Sequence, residues 1–173
     1  MASIGSGIGA NMEDIYLYKA KTTPKEKGEF NNVWVTGNLI VSNGKYYIHP
    51  VGNVVNVRNE IGRIIVMHEV IPDTICQCTG LKDDNGTPIF ENDVLSLTDK
   101  VNDYEWKAVI KFGNPNAEYA WGWWLIPLTK CDANKDILLW IETELNTIEC
   151  RIINNIFDNK ELLESEEQDE SSN

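Results

Sequence analysis

Short runs of β-branched and aromatic residues, separated by turn residues about every dozen positions, constrain the fold of this chain most strongly. Runs of this kind pack well on the pleated surface of a sheet, and clusters of Gly, Asn, Asp and Pro end them. The pattern predicts strands at 15–18, 33–41, 46–48, 63–70, 75–78, 89–97, 106–112, 119–126, 137–141 and 147–154, with a further extended segment at 53–57.

Two Asn-Gly pairs, Asn43-Gly44 and Asn85-Gly86, lie between such runs. A type I′ hairpin turn needs positive φ at both central residues, and Asn and Gly adopt positive φ most readily. Both pairs therefore predict tight turns between antiparallel strands.

Helix is scarce in comparison. The one candidate runs from Asn159 to about Glu164, with Asp158 as the N-cap and Glu161 at the capping-box position. The sequence therefore predicts a mainly β chain: a single domain built on a small barrel or strongly curved antiparallel sheet, with a short C-terminal helical turn.

The formal net charge of −12 is concentrated towards one end of the chain. From Glu161 onward there are six acidic residues and no basic residue, so the remainder carries 27 − 6 = 21 acids against 15 bases, or −6. Residues 164–173 have too few apolar side chains to offset the entropy cost of ordering, which predicts a disordered acidic tail. The mildly acidic body disfavours binding to a nucleic-acid backbone, which requires clustered Lys and Arg.

Residues 1–11 (MASIGSGIGAN) lack the basic and apolar regions of a signal peptide. Their Gly, Ser and Ala content predicts a flexible leader, either native or left by expression, with Met12 as the natural start. The apolar runs fall short of the roughly 20 residues that span a bilayer. We therefore expect a β-rich domain at 12–163, without a membrane segment and in a reducing cytoplasmic setting.

The side chains best suited to bind a soft metal are four cysteines and two histidines, namely Cys76, Cys78, Cys131, Cys150, His49 and His68. Zinc sites usually present C-x₂₋₄-C pairs, whereas Cys76 and Cys78 flank one residue. In a strand, that spacing places both thiols on one face, which favours two buried structural cysteines. We expect no bound metal and no cofactor.

An acidic cluster, formed by Asp83, Asp84, Glu91 and Asp93, surrounds the second Asn-Gly pair. Catalytic carboxylates or a calcium loop would use such residues, but the spacing of an EF-hand loop is absent. Asp side chains in turns also accept hydrogen bonds from the local backbone. The sequence favours this structural role.

Tyr119, Trp121 and Trp123 alternate along a predicted strand and share one face, whereas Trp124 points to the other. Two functional interpretations are open, a stacking platform for bases or sugars and a protein-binding hot spot. The structural interpretation, in which the three alternating rings fill the core, is favoured. It leaves Trp124 as the expected exposed anchor, with Trp121 as a second protein-binding candidate.

Motifs for catalysis are missing from the sequence, which contains no G-x-S-x-G elbow, Walker loop or dinucleotide-binding fingerprint. His68 lies in a hydrophobic run beside Met67 and Glu69, without a Ser or Cys nucleophile placed to use it. We therefore expect a protein that is not an enzyme, and we assign no catalytic residue.

Residues 77–94 (QCTGLKDDNGTPIFENDV) combine a strand end, a hairpin turn and an acidic bend. They closely resemble the signature of the YopX family of small phage and prophage proteins, approximately Q-[YF]-T-G-L-K-D-x-N-G-x-x-I-[YF]-E-G-D-[IV]. Residues 153–163 (INNIFDNKELL) resemble its second landmark, approximately I-G-N-I-[YF]-E-N-P-E-L-L. The positions that carry the resemblance include Gly80, Leu81, Asp83, Asn85, Gly86, Ile89, Glu91, Asp93, Asn155 and Leu162.

The departures from these patterns are mild. Asn92 and Asn154 stand where the family usually has Gly, and Asn is the residue that best replaces Gly in a left-handed turn. Cys78 replaces a usual aromatic residue, and Lys160 a usual Pro. The order and separation of the landmarks fit the family over most of 12–163.

The resemblance implies a β-rich fold that contains a small barrel, an origin in a phage or prophage, and a cytoplasmic location in the bacterial host. It implies no activity. The leading hypothesis is a non-catalytic module that binds another protein, such as a host or defence factor. The alternative is a nucleic-acid-associated small barrel, and a hydrolase for a small molecule is a distant third. A homo-oligomer formed by paired edge strands stays open.

Overall fold

The computed structural model describes residues 16–24, 32–51, 58–59, 62–63, 66–114, 121–128 and 148–159. Several predictions lie outside these residues: the leader, the segments at 53–57 and 137–141, and the acidic tail. The predicted C-terminal helical turn is not confirmed, because it lies outside them from residue 160 onward.

Strands dominate the residues that the structure describes, of which 65% lie in strands and 4% in helical turns. The mainly β prediction is therefore confirmed. The strands are β1 (Tyr18–Lys21), β2 (Trp34–Ser42), β3 (Lys45–Pro50), β4 (Arg58–Asn59), β5 (Gly62–Arg63), β6 (His68–Glu69), β7 (Cys76–Lys82), β8 (Pro88–Phe90), β9 (Asp93–Asp99), β10 (Tyr104–Gly113), β11 (Gly122–Pro127) and β12 (Ile148–Asn155).

The chain forms two compact units, one that ends at Cys78 and one that begins at Thr79. In the N-terminal unit, β6, β3, β2, β1 and the start of β7 are neighbours in that order in an antiparallel sheet. Ala20, Ile48 and Val70 form its buried core. A 3₁₀ turn at Pro72–Thr74 attaches to β1, because the Thr74 hydroxyl accepts a hydrogen bond from the Lys21 N–H at 2.9 Å.

The first Asn-Gly pair forms the predicted hairpin turn between β2 and β3. Asn43 has φ of 50° and Gly44 has φ of 73°, so both central residues are left-handed, as a type I′ turn requires. Ser42 and Lys45 pair directly on either side of the turn. This prediction is confirmed.

In the C-terminal unit, four strands form an antiparallel sheet in the order β11–β10–β9–β12. The hairpin of β7 and β8 contributes Leu81 and Ile89 to the core cluster on one face of this sheet. Alternate residues of β10 supply the largest share of that cluster, as period-two alternation requires. The other members are Leu95, Leu97, Trp106, Ala108, Ile110 and Leu125.

A smaller cluster lies on the opposite face of the same sheet. It consists of Val94 of β9, Val109 of β10 and Ile156, which follows β12. Leu128 and Phe157 pack against it. Apolar side chains therefore pack on both faces of this sheet.

The predicted barrel is wrong for the residues that the structure describes, whose strands form two open antiparallel sheets and the short β4–β5 ladder. Period-two alternation tells which residues of a strand face a core, but it does not tell which strands are neighbours. Closure is decided by pairings between distant strands, and those are not encoded in any one segment.

The strand predicted at 89–97 is interrupted, because Glu91 and Asn92 form a turn between β8 and β9. Asn92 has φ of 66°, so its role as a substitute for Gly in a left-handed turn is confirmed. The same expectation for Asn154 is wrong: its φ is not positive, and it lies at a bulge in β12. Within the predicted strand at 63–70, Arg63 ends β5 and His68–Glu69 form β6, while residues 64 and 65 lie outside the described residues.

Gly86, in the second Asn-Gly turn, has a backbone conformation that a β-branched residue could adopt only with strain. Its φ is 79°, its N–H donates to the Asp83 carbonyl at 2.8 Å, and a Cβ added there meets nothing within 4 Å. We expect Gly86→Val to lower the free energy of unfolding by about 1–3 kcal/mol through strain alone, since β-branched residues avoid positive φ. Urea denaturation at constant m-value measures this change.

Gly86→Asn is the matched control, because Asn tolerates left-handed φ and should cost less than about 1 kcal/mol. Equal stability of the Val and Asn variants would contradict the assignment of strain to this turn.

Candidate protein-binding surface

The Trp-rich stretch follows the ladder between β10 and β11. Phe112 pairs with Trp123, and Gly113 pairs with Gly122. Phe112 therefore continues the alternation of Trp106, Ala108 and Ile110 towards the end of β10, on the face that carries the core cluster. We use the name aromatic surface for Phe112, Trp121 and Trp123.

The rings of the aromatic surface contact one another. The Phe112 and Trp123 centroids are 5.0 Å apart with an edge-to-face angle of 63°, and the Phe112 and Trp121 centroids are 6.4 Å apart. Trp123 packs partly against the core cluster, whereas Phe112 is 52% exposed and Trp121 75% exposed. The apolar face of the sheet thus continues beyond its buried part and ends in two exposed rings.

The expectation that Trp124 is exposed is wrong. Trp124 is 7% exposed, and its indole N–H donates to the Gly113 carbonyl at 2.8 Å. The alternation was predicted correctly, since Trp123 and Trp124 point to opposite faces. What the sequence did not reveal is that, at this end of the sheet, the face carrying Trp124 is the covered one, whereas Phe112 and Trp121 on the opposite face are exposed.

Trp121 and Tyr119 were predicted to fill the core together with Trp123. Trp121 is exposed instead of buried, which reverses its expected position but keeps it as a protein-binding candidate. Tyr119 lies outside the described residues.

Phe112 was missed as a candidate by the sequence reasoning. A signal was present, because Trp106, Ala108, Ile110 and Phe112 repeat every second residue and predict one shared apolar face. The repeat could not show that the core covers only the first three of these side chains.

Basic residues near the Trp strand lie on the other face of the sheet. Lys107 and Lys111 alternate with the core-facing residues of β10, and Lys111 Nζ donates to the side-chain oxygen of Asn92. Further along that sheet, Lys100 Nζ lies 3.3 Å from a Glu149 carboxylate oxygen, and Arg151 also pairs with Glu149. The hydrogen bond from Lys100 and the charge of Arg151 lower the pKa of Glu149.

The acidic cluster serves the backbone. The Asp83 carboxylate, which is buried, accepts hydrogen bonds from the N–H groups of Asn85 at 2.9 Å, Thr87 at 2.8 Å and Ile152 at 3.3 Å. Buried charge is tolerated only with such compensation. These contacts support the structural role that turn chemistry predicted for Asp83.

Asp93 has a similar role and is fully buried. Its carboxylate accepts hydrogen bonds from the Phe90 N–H and from the side-chain amide of Asn155, each at 2.9 Å. The Asn155 oxygen in turn accepts the N–H of Phe157 at 3.1 Å. Residues from the two resembling segments, 77–94 and 153–163, are thereby joined by hydrogen bonds.

The two joined segments lie within a region that matches a known protein family. The family described as YopX protein matches residues 12–164. The chain belongs to the YopX family. No curated protein and no solved structure matches it.

The remaining YopX signature positions occupy the hairpin of β7 and β8 and the turns beside it. Leu81 and Ile89 are buried in the core cluster, and Gly80 has a left-handed φ of 83° within β7. Glu91 lies half-buried in the turn before β9, and Leu162 lies outside the described residues. The signature therefore marks the residues that shape the hairpin.

The cysteines differ in their surroundings. Cys76 and Cys78 are both buried, as their spacing along a strand predicted, and Cys131 lies outside the described residues. Burial, followed by the charges of Asp84 and Asp83, raises the pKa of the Cys150 thiol to about 12. Cys150 is therefore a poor thiolate donor at neutral pH.

Within the described residues, no group of three or more His, Cys, Asp or Glu side chains is arranged to hold a metal ion. A ring nitrogen of His49, Nδ1, lies 2.9 Å from the Val66 carbonyl, and His68 is half-buried in β6. Across the same residues, no helix has the length and apolar character that a membrane crossing requires.

The junction between Asp93 and Asn155 should contribute strongly to folding. We expect Asp93→Ala to lower the free energy of unfolding by about 2–4 kcal/mol, because it leaves two buried donors without their acceptor. Asn155→Ala should show positive coupling with it, of about 1 kcal/mol or more, in a double-mutant cycle measured by urea denaturation. Strict additivity of the two substitutions would contradict the proposed junction.

Cys150 gives a prediction for chemical reactivity and for pH. Because its pKa is raised above that of the unfolded chain, the folded protein should be alkylated at Cys150 far more slowly than the urea-unfolded protein at pH 8. The stability that its neutral thiol contributes is complete below about pH 9 and is lost as pH rises towards 12. Peptide mapping after timed iodoacetamide treatment measures the first effect, and equal rates in both states would contradict it.

Proposed function

We propose that this YopX-family protein acts by binding another protein, with Phe112 and Trp121 as the main contacts and without a catalytic step. The observation that carries the proposal is the exposure of these two neighbouring rings at the end of a packed sheet. Aromatic residues dominate binding hot spots, because their rings bury a large area at a low cost in side-chain entropy.

The support beneath the two rings strengthens this proposal. Trp123 packs against the buried core cluster and also contacts Phe112 edge-on. A contact residue that is already held in place loses little freedom on binding, which leaves more of the interaction free energy for affinity. The aromatic surface is thus suited to a partner with a complementary apolar pocket.

The charge distribution favours a protein partner over a nucleic acid. Bases that stack on exposed rings normally bring their phosphates against nearby Lys or Arg. Lys107 and Lys111, the described basic residues of β10, lie on the opposite face from the rings. The formal charge of −12 adds a mean field that opposes phosphate binding.

Family membership supports the biological setting of the proposal. A YopX protein is a small phage-type protein, which favours a partner in the cytoplasm of a bacterial host, either a host factor or another phage protein. The pKa shifts of Glu149 and Cys150 arise from an ion-pair network and from burial, so they do not require a catalytic role.

The test compares variants of the aromatic surface. We expect Trp121→Ala and Phe112→Ala to keep the melting temperature almost unchanged and to weaken partner binding by about 30-fold each, which corresponds to a hot-spot loss of about 2 kcal/mol. A pull-down from host lysate identifies the partner, and titration calorimetry with the purified partner measures the change in Kd.

Val101→Ala is the matched control, because Val101 is 70% exposed in the turn between β9 and β10, away from the aromatic surface. It should leave Kd unchanged. Trp124→Ala should instead lower the free energy of unfolding by about 3 kcal/mol, since Trp124 is buried.

Two results would overturn the proposal. One is partner binding that is equally strong in wild type, Trp121→Ala and Phe112→Ala. The other is tight, salt-sensitive binding to DNA in a mobility-shift assay with no protein partner recovered, which would favour the nucleic-acid alternative.

A further inference from the structure

β12 forms one edge of the four-stranded sheet, beside β9. In an antiparallel strand, backbone groups point alternately towards the neighbouring strand and away from it. An edge strand therefore presents a row of N–H and C=O groups that can pair with a strand of another chain. In β12, Cys150 and Ile152 carry such outward-pointing groups.

These groups are met by the turn between β7 and β8 instead of by a strand. The Asp84 N–H donates to the Cys150 carbonyl at 3.0 Å, and the Asp84 carboxylate accepts the Cys150 N–H at 2.8 Å. Asp84 thus exchanges two hydrogen bonds with Cys150, as a paired strand residue would. The Asp83 carboxylate accepts the next outward N–H, that of Ile152, at 3.3 Å.

We propose that Asp83 and Asp84 form an edge plug, which takes the place of a fifth strand beside β12 and prevents a second copy of this chain from pairing there. The occupant that the plug excludes is another β12, since two identical edges can pair antiparallel about a two-fold axis. The proposal is independent of the aromatic surface and of its partner.

The plug is held in place by its own turn. The Asp83 carboxylate also accepts the N–H groups of Asn85 and Thr87, and the Asp83 N–H donates to the Thr87 carbonyl at 2.9 Å. An incoming strand would have to displace charge-assisted hydrogen bonds from acceptors that cannot move away freely. Loss of the Asp84 carboxylate alone should therefore free the Cys150 N–H and weaken the plug while the turn stays folded, which leaves an incoming strand only the residue-84 N–H and the Asp83 contact to displace.

The test uses Asp84→Ala in the full chain. We expect sedimentation velocity to show that this variant forms a dimer as its concentration rises. The wild type should not dimerise through β12 under the same conditions. In dilute solution, the amide of Cys150 should exchange with solvent at least about tenfold faster than in wild type, because it has lost its acceptor. Circular dichroism checks that the β-sheet content is retained.

Asp99→Ala is the matched control. Asp99 also accepts backbone N–H groups of a turn, those of Val101 and Asn102 at 2.8 and 3.1 Å, but this turn lies between β9 and β10 and does not cover the outward groups of β12. The control should sediment like the wild type. If Asp84→Ala does not fold, Asp84→Asn serves as the second variant, and it should still accelerate exchange of the Cys150 amide, because a neutral amide oxygen is a weaker acceptor than a carboxylate.

Three outcomes overturn the edge plug. The first is a monomeric Asp84→Ala variant with wild-type exchange at Cys150. The second is self-association of Asp99→Ala to the same extent as Asp84→Ala, which would show general destabilisation. The third is a dimer of Asp84→Ala in which the amides that become protected from hydrogen exchange at high concentration lie outside β12.

Discussion

The C-terminal unit depends on two buried carboxylates that accept hydrogen bonds from the backbone. Asp83 joins its own turn to Ile152, and Asp93 joins the Phe90 N–H to the Asn155 side chain. Both bring β12, the last strand of the described residues, into contact with the hairpin of β7 and β8. A buried carboxylate without these donors would cost several kcal/mol, so the charges are stable only when the distant strand is in place.

That dependence explains where the two landmarks of the YopX family meet. Residues 77–94 supply the carboxylates and the hairpin, and residues 153–163 begin at the end of β12, where Asn155 lies. The family is thus recognised by groups that assemble one unit of the fold. The rings proposed to bind a partner, Phe112 and Trp121, belong to neither landmark.

The two sides of the four-stranded sheet differ in chemistry. At β12, the outward backbone groups of Cys150 are already hydrogen-bonded to Asp84. Beside β11, the apolar face ends in the exposed rings of the aromatic surface. A sheet protected at one edge can expose aromatic side chains elsewhere with less risk of open-ended self-assembly, because growth needs two edges that pair.

The sequence by itself determined the mainly β class, the hairpin at Asn43-Gly44, the left-handed Gly86 and Asn92, and the structural use of Asp83, because each rests on local backbone geometry or on period-two alternation. Tertiary structure alone decided that the sheets of the described residues stay open, that Trp124 is buried while Trp121 is exposed, and that Asp84 meets Cys150. Those outcomes depend on which distant segments cover a face or an edge. Such coverage is set by long-range packing, and the alternation within a single strand carries no record of it.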